Sequence, residues 1–173
     1  MRQLIKLTQV LLLVCPLLSY ADDTQLAVWA NEAIVATYTY SYSNFIQRQR
    51  DIARYFTAQG WTAYSNALNA SKLPEAIMKN NYFVSAVATM PPAVKSLGQG
   101  QWQATMPVLV VYKNPQYQQK QTLEVTINFN QAPSGQGVRG LAINSLKAKV
   151  IEPPCECKPS KETGTEPPLN APQ

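Results

Sequence analysis

"QWQATMPVLVVY", Gln101–Tyr112, places Trp102, Ala104, Met106, Val108, Val110 and Tyr112 on one side of a two-residue repeat and Gln101, Gln103 and Thr105 on the other. That alternation is a β-strand with one face in a core and the other toward solvent. Pro107 interrupts the second face. Lacking an N–H, it cannot donate a ladder hydrogen bond, so it is expected to mark an edge or a bulge. Beyond it Leu109 and Val111 make that face apolar as well, which predicts a strand bending from a solvated region into a covered one.

Outward from this strand the pattern repeats. "TLEVTINFN" turns Leu123, Val125, Ile127 and Phe129 inward and Thr122, Glu124, Thr126 and Asn128 outward. "YFVSAVATM", bounded by Pro91 and Pro92, and "GLAINSLKAKVI" supply two more strands. The apolar phase of the last one changes between Ile143 and Leu146, which predicts a bulge. "KNPQYQQ" and "NQAPSGQGVRG" carry turn chemistry, and the second is long for a hairpin.

Before Asn81 the period is helical. In "LAVWANEAIVATY", Leu26, Trp29, Ala30, Ala33, Ile34 and Thr37 share one face. "TYTYSYSN" then reads as an extended connection. Asn44 is the expected N-cap of "FIQRQRDIARYF", with Phe45, Ile52 and Phe56 inward, and Thr57 caps the next helix. In "YFTAQGWTAYSNAL" that third helix aligns Trp61, Tyr64 and Leu68, with Ala63 and Ala67 expected to permit close approach and Gly60 to turn the chain into the helix. Pro74 suits the first turn of a fourth helix ending near Lys79. Helices first and strands afterwards predict an α+β domain, helices on one face of a four-stranded antiparallel sheet.

The ends read differently. Residues 1–21 have Arg2 and Lys6, an apolar run through Leu11–Val14, and Ser19-Tyr20-Ala21, so a signal peptide cleaved between Ala21 and Asp22 is expected. A lipid anchor at Cys15 or a retained anchoring helix are the competing readings. Val14 and Pro16 disfavour the first, and Gln9 and Pro16 the second. Residues 22–151 form the expected folded domain. Residues 152–173 are rich in Pro, Glu, Lys and Thr and are expected to stay disordered, because they offer too little apolar surface to offset ordering entropy.

The 173-residue chain contains no histidine. Histidine bases, Ser-His and Cys-His nucleophile pairs and imidazole metal ligands are thereby excluded. The glycines of "GQGQW" and "SGQGVRG" lack the strand-to-helix setting of a phosphate loop. Past Asp23 the carboxylates of the folded span are Glu32, Asp51, Glu75 and Glu124, and their placement supports no acid/base pair. Cys155 and Cys157 are a candidate disulfide; two free thiols, a bridge to another chain and half a metal site are the other readings. Residues 22–151 carry eleven basic and six acidic side chains. Arg48, Arg50 and Arg54 cluster on one helix, which fits a solvated face or an interface better than a nucleic-acid site. No cofactor, metal or nucleic-acid partner is expected.

The succession Trp29, "YFTAQGW" (55–61), Ala67-Leu68, "VSAVAT" (84–89), Trp102, "MPVLVVY" (106–112) and "RGLAI" (139–143) resembles the periplasmic domain of the DotI/IcmL family. These are inner-membrane core components of type IVB secretion systems, similar to TraM of conjugation machines. On that resemblance Trp29, Tyr55, Phe56, Gly60, Trp61, Leu68, Trp102, Pro107 and Gly140 are fold-signature positions. It implies a ketosteroid-isomerase-like roll, with helices in the concave side of a curved four-stranded antiparallel sheet. It also implies a scaffold without enzymatic activity that forms homo- or hetero-oligomers with paralogues and binds inner-membrane and periplasmic subunits. Arg48, Arg50, Arg54 and Arg139 are its candidate interface. The removable leader and the CxC tail depart from the family pattern and favour a periplasmic accessory paralogue. The alternative is a small-ligand binder or enzyme using the mouth of the roll.

Overall fold

α1 (Leu18–Thr37) is held by a single apolar stripe: Leu26, Trp29, Ala30, Ala33, Ile34 and Thr37 are all buried. The computed structural model describes residues 18–152. Thr37 closes the stripe by donating its hydroxyl to the Ala33 carbonyl at 2.8 Å. The chain then passes through β1 (Tyr40–Ser41), α2 (Phe45–Ala53), α3 (Ala58–Ala70) and α4 (Leu73–Asn80). The strands follow: β2 (Phe83–Ala88), β3 (Ala93–Gly98), β4 (Gln101–Lys113), β5 (Gln118–Gln131) and β6 (Leu141–Ile151).

All strand pairs are antiparallel, in the order β1-β2-β4-β5-β6, with β3 also on β4. The sheet thus has six strands where the alternation predicted four. Tyr40–Ser41 is too short to show a period. In β3 only Val94 faces the core, so its six residues carry no repeat to read.

β4 and β5 form the centre. Ala104, Met106, Val108, Val110, Val125, Ile127 and Phe129 are fully buried on the concave face against α1, as the alternation predicted. Each large side chain so buried contributes about 1.5–3 kcal/mol. The expected bulge in β6 is present: Ser145 pairs with Asn128 and Ile143 with Phe129, so Asn144 is extra and Ile143 and Leu146 both turn inward.

Pro107 lies in neither an edge strand nor a bulge. One edge of β4 is shared by β2, which ends at the Ala88–Val108 pair, and β3, which starts at Ala93–Thr105. Pro107 faces the break. Its carbonyl accepts from the Thr89 amide at 3.0 Å and the Thr89 hydroxyl at 3.2 Å. Both backbone groups of a strand residue point to the same edge in an antiparallel pair, so the missing N–H falls where β2 leaves the sheet.

Three local expectations change. Asn44 occupies the N-cap of α2, but its side chain accepts from the Ser41 amide at 2.7 Å and makes no cap bond. Thr57 does cap α3, accepting from the Gly60 amide at 3.1 Å. Ala63 and Ala67 are exposed, and the close approach is made by Gly60, which is buried inside α3. A Cβ there would strike the Ile143 carbonyl oxygen and meet that of Asn144 at 2.9 Å. Gly60 therefore serves contact with β6 rather than a turn into the helix.

Candidate functional site

The helical layer is tied to the sheet along β6. Ile143 donates its amide to the Tyr55 carbonyl at 2.7 Å and accepts from the Thr57 amide at 2.9 Å, forming a parallel bridge at Phe56. Phe56 is buried here; Trp61 and Tyr64, half-buried, pack on it with ring centroids 5.9 and 5.1 Å away. Leu68 lies one turn further along α3, half-buried. This cluster is the seam between helices and sheet, and Trp61 is its outer wall rather than a wholly enclosed side chain.

A second cluster closes the loop between β5 and β6. Trp29 packs tilted on Phe129, ring centroids 4.9 Å apart, and donates its indole N–H to the Val138 carbonyl at 2.9 Å. Arg139 and Gly140 both have positive φ, 52° and 72°, which aims the Arg139 side chain back at α1. There Glu32 Oε2 accepts from Arg139 Nη2 at 2.5 Å, and Oε1 accepts from the Tyr55 hydroxyl at 2.6 Å. The Tyr55 hydrogen bond is the main influence holding the Glu32 carboxyl below its ordinary range; partial burial opposes it, and Arg139 assists. Burial first, then Glu32, pushes the Tyr55 phenol up to about 12. Glu32 was visible in the sequence as a helix-surface carboxylate, but nothing local marked its partners, which lie 23 and 107 residues away.

Two clefts adjoin this clasp. A cleft of about 650 Å³ at the mouth of the roll is lined by Leu26, Val28, Trp29, Trp102, Gln131 and Arg139, among others. Trp102 stacks on Phe129 and forms its floor with Trp29. The other, about 370 Å³, brings Glu32 and Asp51 together with Arg48, Arg54 and Tyr55. Each carboxylate is already matched by an arginine, since Arg48 lies 3.7 Å from Asp51. Arg48 also donates from Nε to the Thr39 carbonyl at 3.1 Å. Glu32 is thus a doubly occupied acceptor, poorly suited to take a proton from a substrate at neutral pH.

Of the four arginines expected at an interface, Arg48 and Arg139 are spent on internal contacts, while Arg50 on α2 and Arg54 at its C-cap are exposed. The convex face of the sheet was not singled out from the sequence. It displays Lys95, Lys113, Lys120, Lys147 and Lys149, all exposed, and one carboxylate, Glu124, 3.4 Å from Lys149. The outward phases of β4, β5 and β6 were legible, so Lys113, Lys120, Lys147 and Lys149 could have been found by aligning strands, whereas Lys95 lies in β3, which carries no repeat. Ala21 and Asp22, the expected cleavage site, lie within α1. Cys155 and Cys157 lie outside the described residues.

Residues 6–150 match the family described as type-IV b secretion system, inner-membrane complex component, T4BSS DotI/IcmL. The chain belongs to this family. An IcmL-like type IV secretion system protein from Legionella pneumophila is 61% identical, with TM-score 0.75 over 78% of this chain and 96% of that one. The periplasmic domain of DotI is 29% identical, with TM-score 0.69 over 73% of this chain and 94% of that one. A periplasmic fragment of TraM, 16% identical with TM-score 0.64 over 75% and 98%, shares the fold. Among curated proteins none matches significantly. The resemblance read from Trp29, "YFTAQGW", "MPVLVVY" and "RGLAI" is therefore upheld, and so is the curled antiparallel sheet it implied. Among the described residues no helix is long and apolar enough to cross a membrane.

Proposed function

We propose that this chain is a non-catalytic periplasmic subunit of a type IVB secretion or conjugation apparatus, acting by protein–protein contact as an accessory paralogue of the DotI-like core subunit. The observation that carries the reading is family membership across residues 6–150, joined to 61% identity with an IcmL-like secretion protein. The internal chemistry fits it. The concave face, where this type of roll would hold a ligand, is filled by α1 against β4 and β5. The mouth cleft has an aromatic floor, and Arg139 at its rim is committed to Glu32. The ligand-binding or enzymatic alternative gains no support from that geometry.

Export would follow from the leader, cleaved between Ala21 and Asp22. The exposed surfaces left for partners are the convex sheet face and the α2 side bearing Arg50 and Arg54. In-cell crosslinking of a tagged, exported chain, followed by affinity capture, should recover inner-membrane and periplasmic subunits of the apparatus or DotI-like paralogues. Capture of no such subunit, with effector secretion unimpaired in a deletion strain, would remove this reading.

A further inference from the structure

The sheet has edges as well as faces, and they end differently. On one side β1 is two residues long, and its Ser41 amide is taken by the Asn44 side chain at 2.7 Å. β3, on the same side of β4 as β2, is short and broken by a register shift between Ser96 and Gly98. Short, irregular edges of this kind resist pairing with another chain. The opposite edge is β6, eleven residues long and last in the sheet order.

The first part of β6 is covered. Ile143 exchanges backbone hydrogen bonds with Tyr55 and Thr57, and Gly60 of α3 packs on the Ile143 and Asn144 carbonyls. From Lys147 to Ile151 the backbone bonds only β5 among the described residues, and alternate residues of an edge strand direct N–H and C=O outward. Lys147, Ala148, Lys149 and Val150 are exposed in succession. Ala148 and Val150 stand opposite Val125 and Leu123, which are buried on the concave face, yet Val150 is 61% exposed. Lys147 and Lys149 belong to the convex face, opposite Thr126 and Glu124. Glu124 approaches Lys149 at 3.4 Å from the β5 side, and Lys147 has no carboxylate within ion-pair distance among the described residues.

We propose that the open edge of β6 at Lys147–Ile151 accepts an extended segment of a partner protein as a further strand, the segment alternating acidic with apolar side chains. In strand addition the main-chain hydrogen bonds give affinity and the alternate side chains give specificity. Acidic residues of the added strand would face Lys147 and Lys149, as Glu124 does from the other side. Its apolar residues would extend the concave face over Ala148 and Val150. Charge argues against a second copy as the occupant. Paired antiparallel about a two-fold axis at Ala148, two β6 strands would set Lys147 opposite Lys149; an axis at Lys149 would set that lysine opposite itself. Like charges directly opposite are destabilising. The proposal concerns how a strand is recognised and holds whatever apparatus the partner belongs to.

The test titrates the isotope-labelled full chain with a short blocked peptide of alternating glutamate and valine, read by NMR amide shifts and hydrogen exchange. Shift changes should concentrate at Lys147–Ile151, and alternate amides there should exchange several-fold more slowly. The same peptide with every amide N-methylated keeps its charges but cannot donate to the edge, and it should give no protection. Lys147→Glu should weaken the glutamate peptide several-fold and favour a counterpart alternating lysine with valine. An equal effect of the methylated peptide, shifts spread to Lys113 and Lys120 without protection, or no response at all would overturn the proposal. So would protection present without peptide: if it rises with protein concentration a second copy is the occupant, and if it does not, the same chain is.

Discussion

Gly60 fixes the distance between α3 and β6. Ala in a helix interior is favoured over Gly by about 1 kcal/mol, so Gly60→Ala would stabilise an isolated α3. Here the added methyl meets the backbone carbonyls of Ile143 and Asn144, which the bulge and the Tyr55–Thr57 bridge hold in place. Overpacking against backbone costs typically 1–3 kcal/mol, and the clash should win. Chemical denaturation of Gly60→Ala should show a net loss of about 1–2 kcal/mol; stability at or above that of the parent would mean the α3–β6 contact yields easily. Glu32 supports a second residue-scale prediction. Its lowered pKa means that its contribution is present above its ordinary value of 4.5 and is lost as pH falls through the lowered one. Tyr55 has the opposite sign: its contribution is present below 10 and is lost as pH rises toward about 12. Hydrogen exchange at the Val138 and Leu141 amides, which bond each other's carbonyls, should therefore be slowest relative to the intrinsic rate between these limits. In Glu32→Gln, which keeps an acceptor for Tyr55 but loses the charge facing Arg139, those amides should exchange faster at neutral pH.

At the scale of elements, the N-cap of α3 is separable from its docking. Thr57 accepts from the Gly60 amide through its side chain, while its own backbone amide bonds Ile143. Thr57→Ala removes the first and keeps the second, so it should cost about 0.5–2 kcal/mol, and Thr57→Asn should recover most of it. Equal losses in both variants would assign the effect to the weaker 3.4 Å contact of the hydroxyl with the Ile143 carbonyl. The elements also differ in how far the sequence disclosed them. α1 and the strands β4 and β5 were legible because one packing face dominates each, and the burial of Trp29, Met106 and Phe129 follows the written period. β1 and β3 were hidden because two residues, or six with one core side chain, leave no repeat. Pro107 was read as the mark of an edge or a bulge, yet it marks the boundary between two partners of one strand. Asn44 was read as a cap by residue type, and its side chain turns back to accept from the Ser41 amide. Of the candidate surface, the arginines were conspicuous as a run in α2, whereas the convex lysines are scattered over 55 positions and meet only through strand register.

At the scale of the molecule, the two faces of the sheet respond differently to charge. The concave face is sealed by α1, so a charge placed there has no partner and costs several kcal/mol. Val125→Asp should abolish cooperative unfolding altogether. Charges on the convex face are solvated, and surface substitutions away from structural features usually change stability by no more than about 0.5 kcal/mol. The double reversal of Lys113→Glu with Lys120→Glu should therefore leave the unfolding midpoint near that of the parent. If the exposed face mediates assembly, the same pair of changes should lower in-cell crosslinking to apparatus subunits several-fold, because rim charges act on encounter and register more than on folding. Arg50→Glu with Arg54→Glu on α2 provides the matched comparison, equal in charge change but on the other exposed side. Crosslinking lost in the α2 pair and kept in the sheet pair would move the interface to α2, and crosslinking kept in both would place recognition on neither surface.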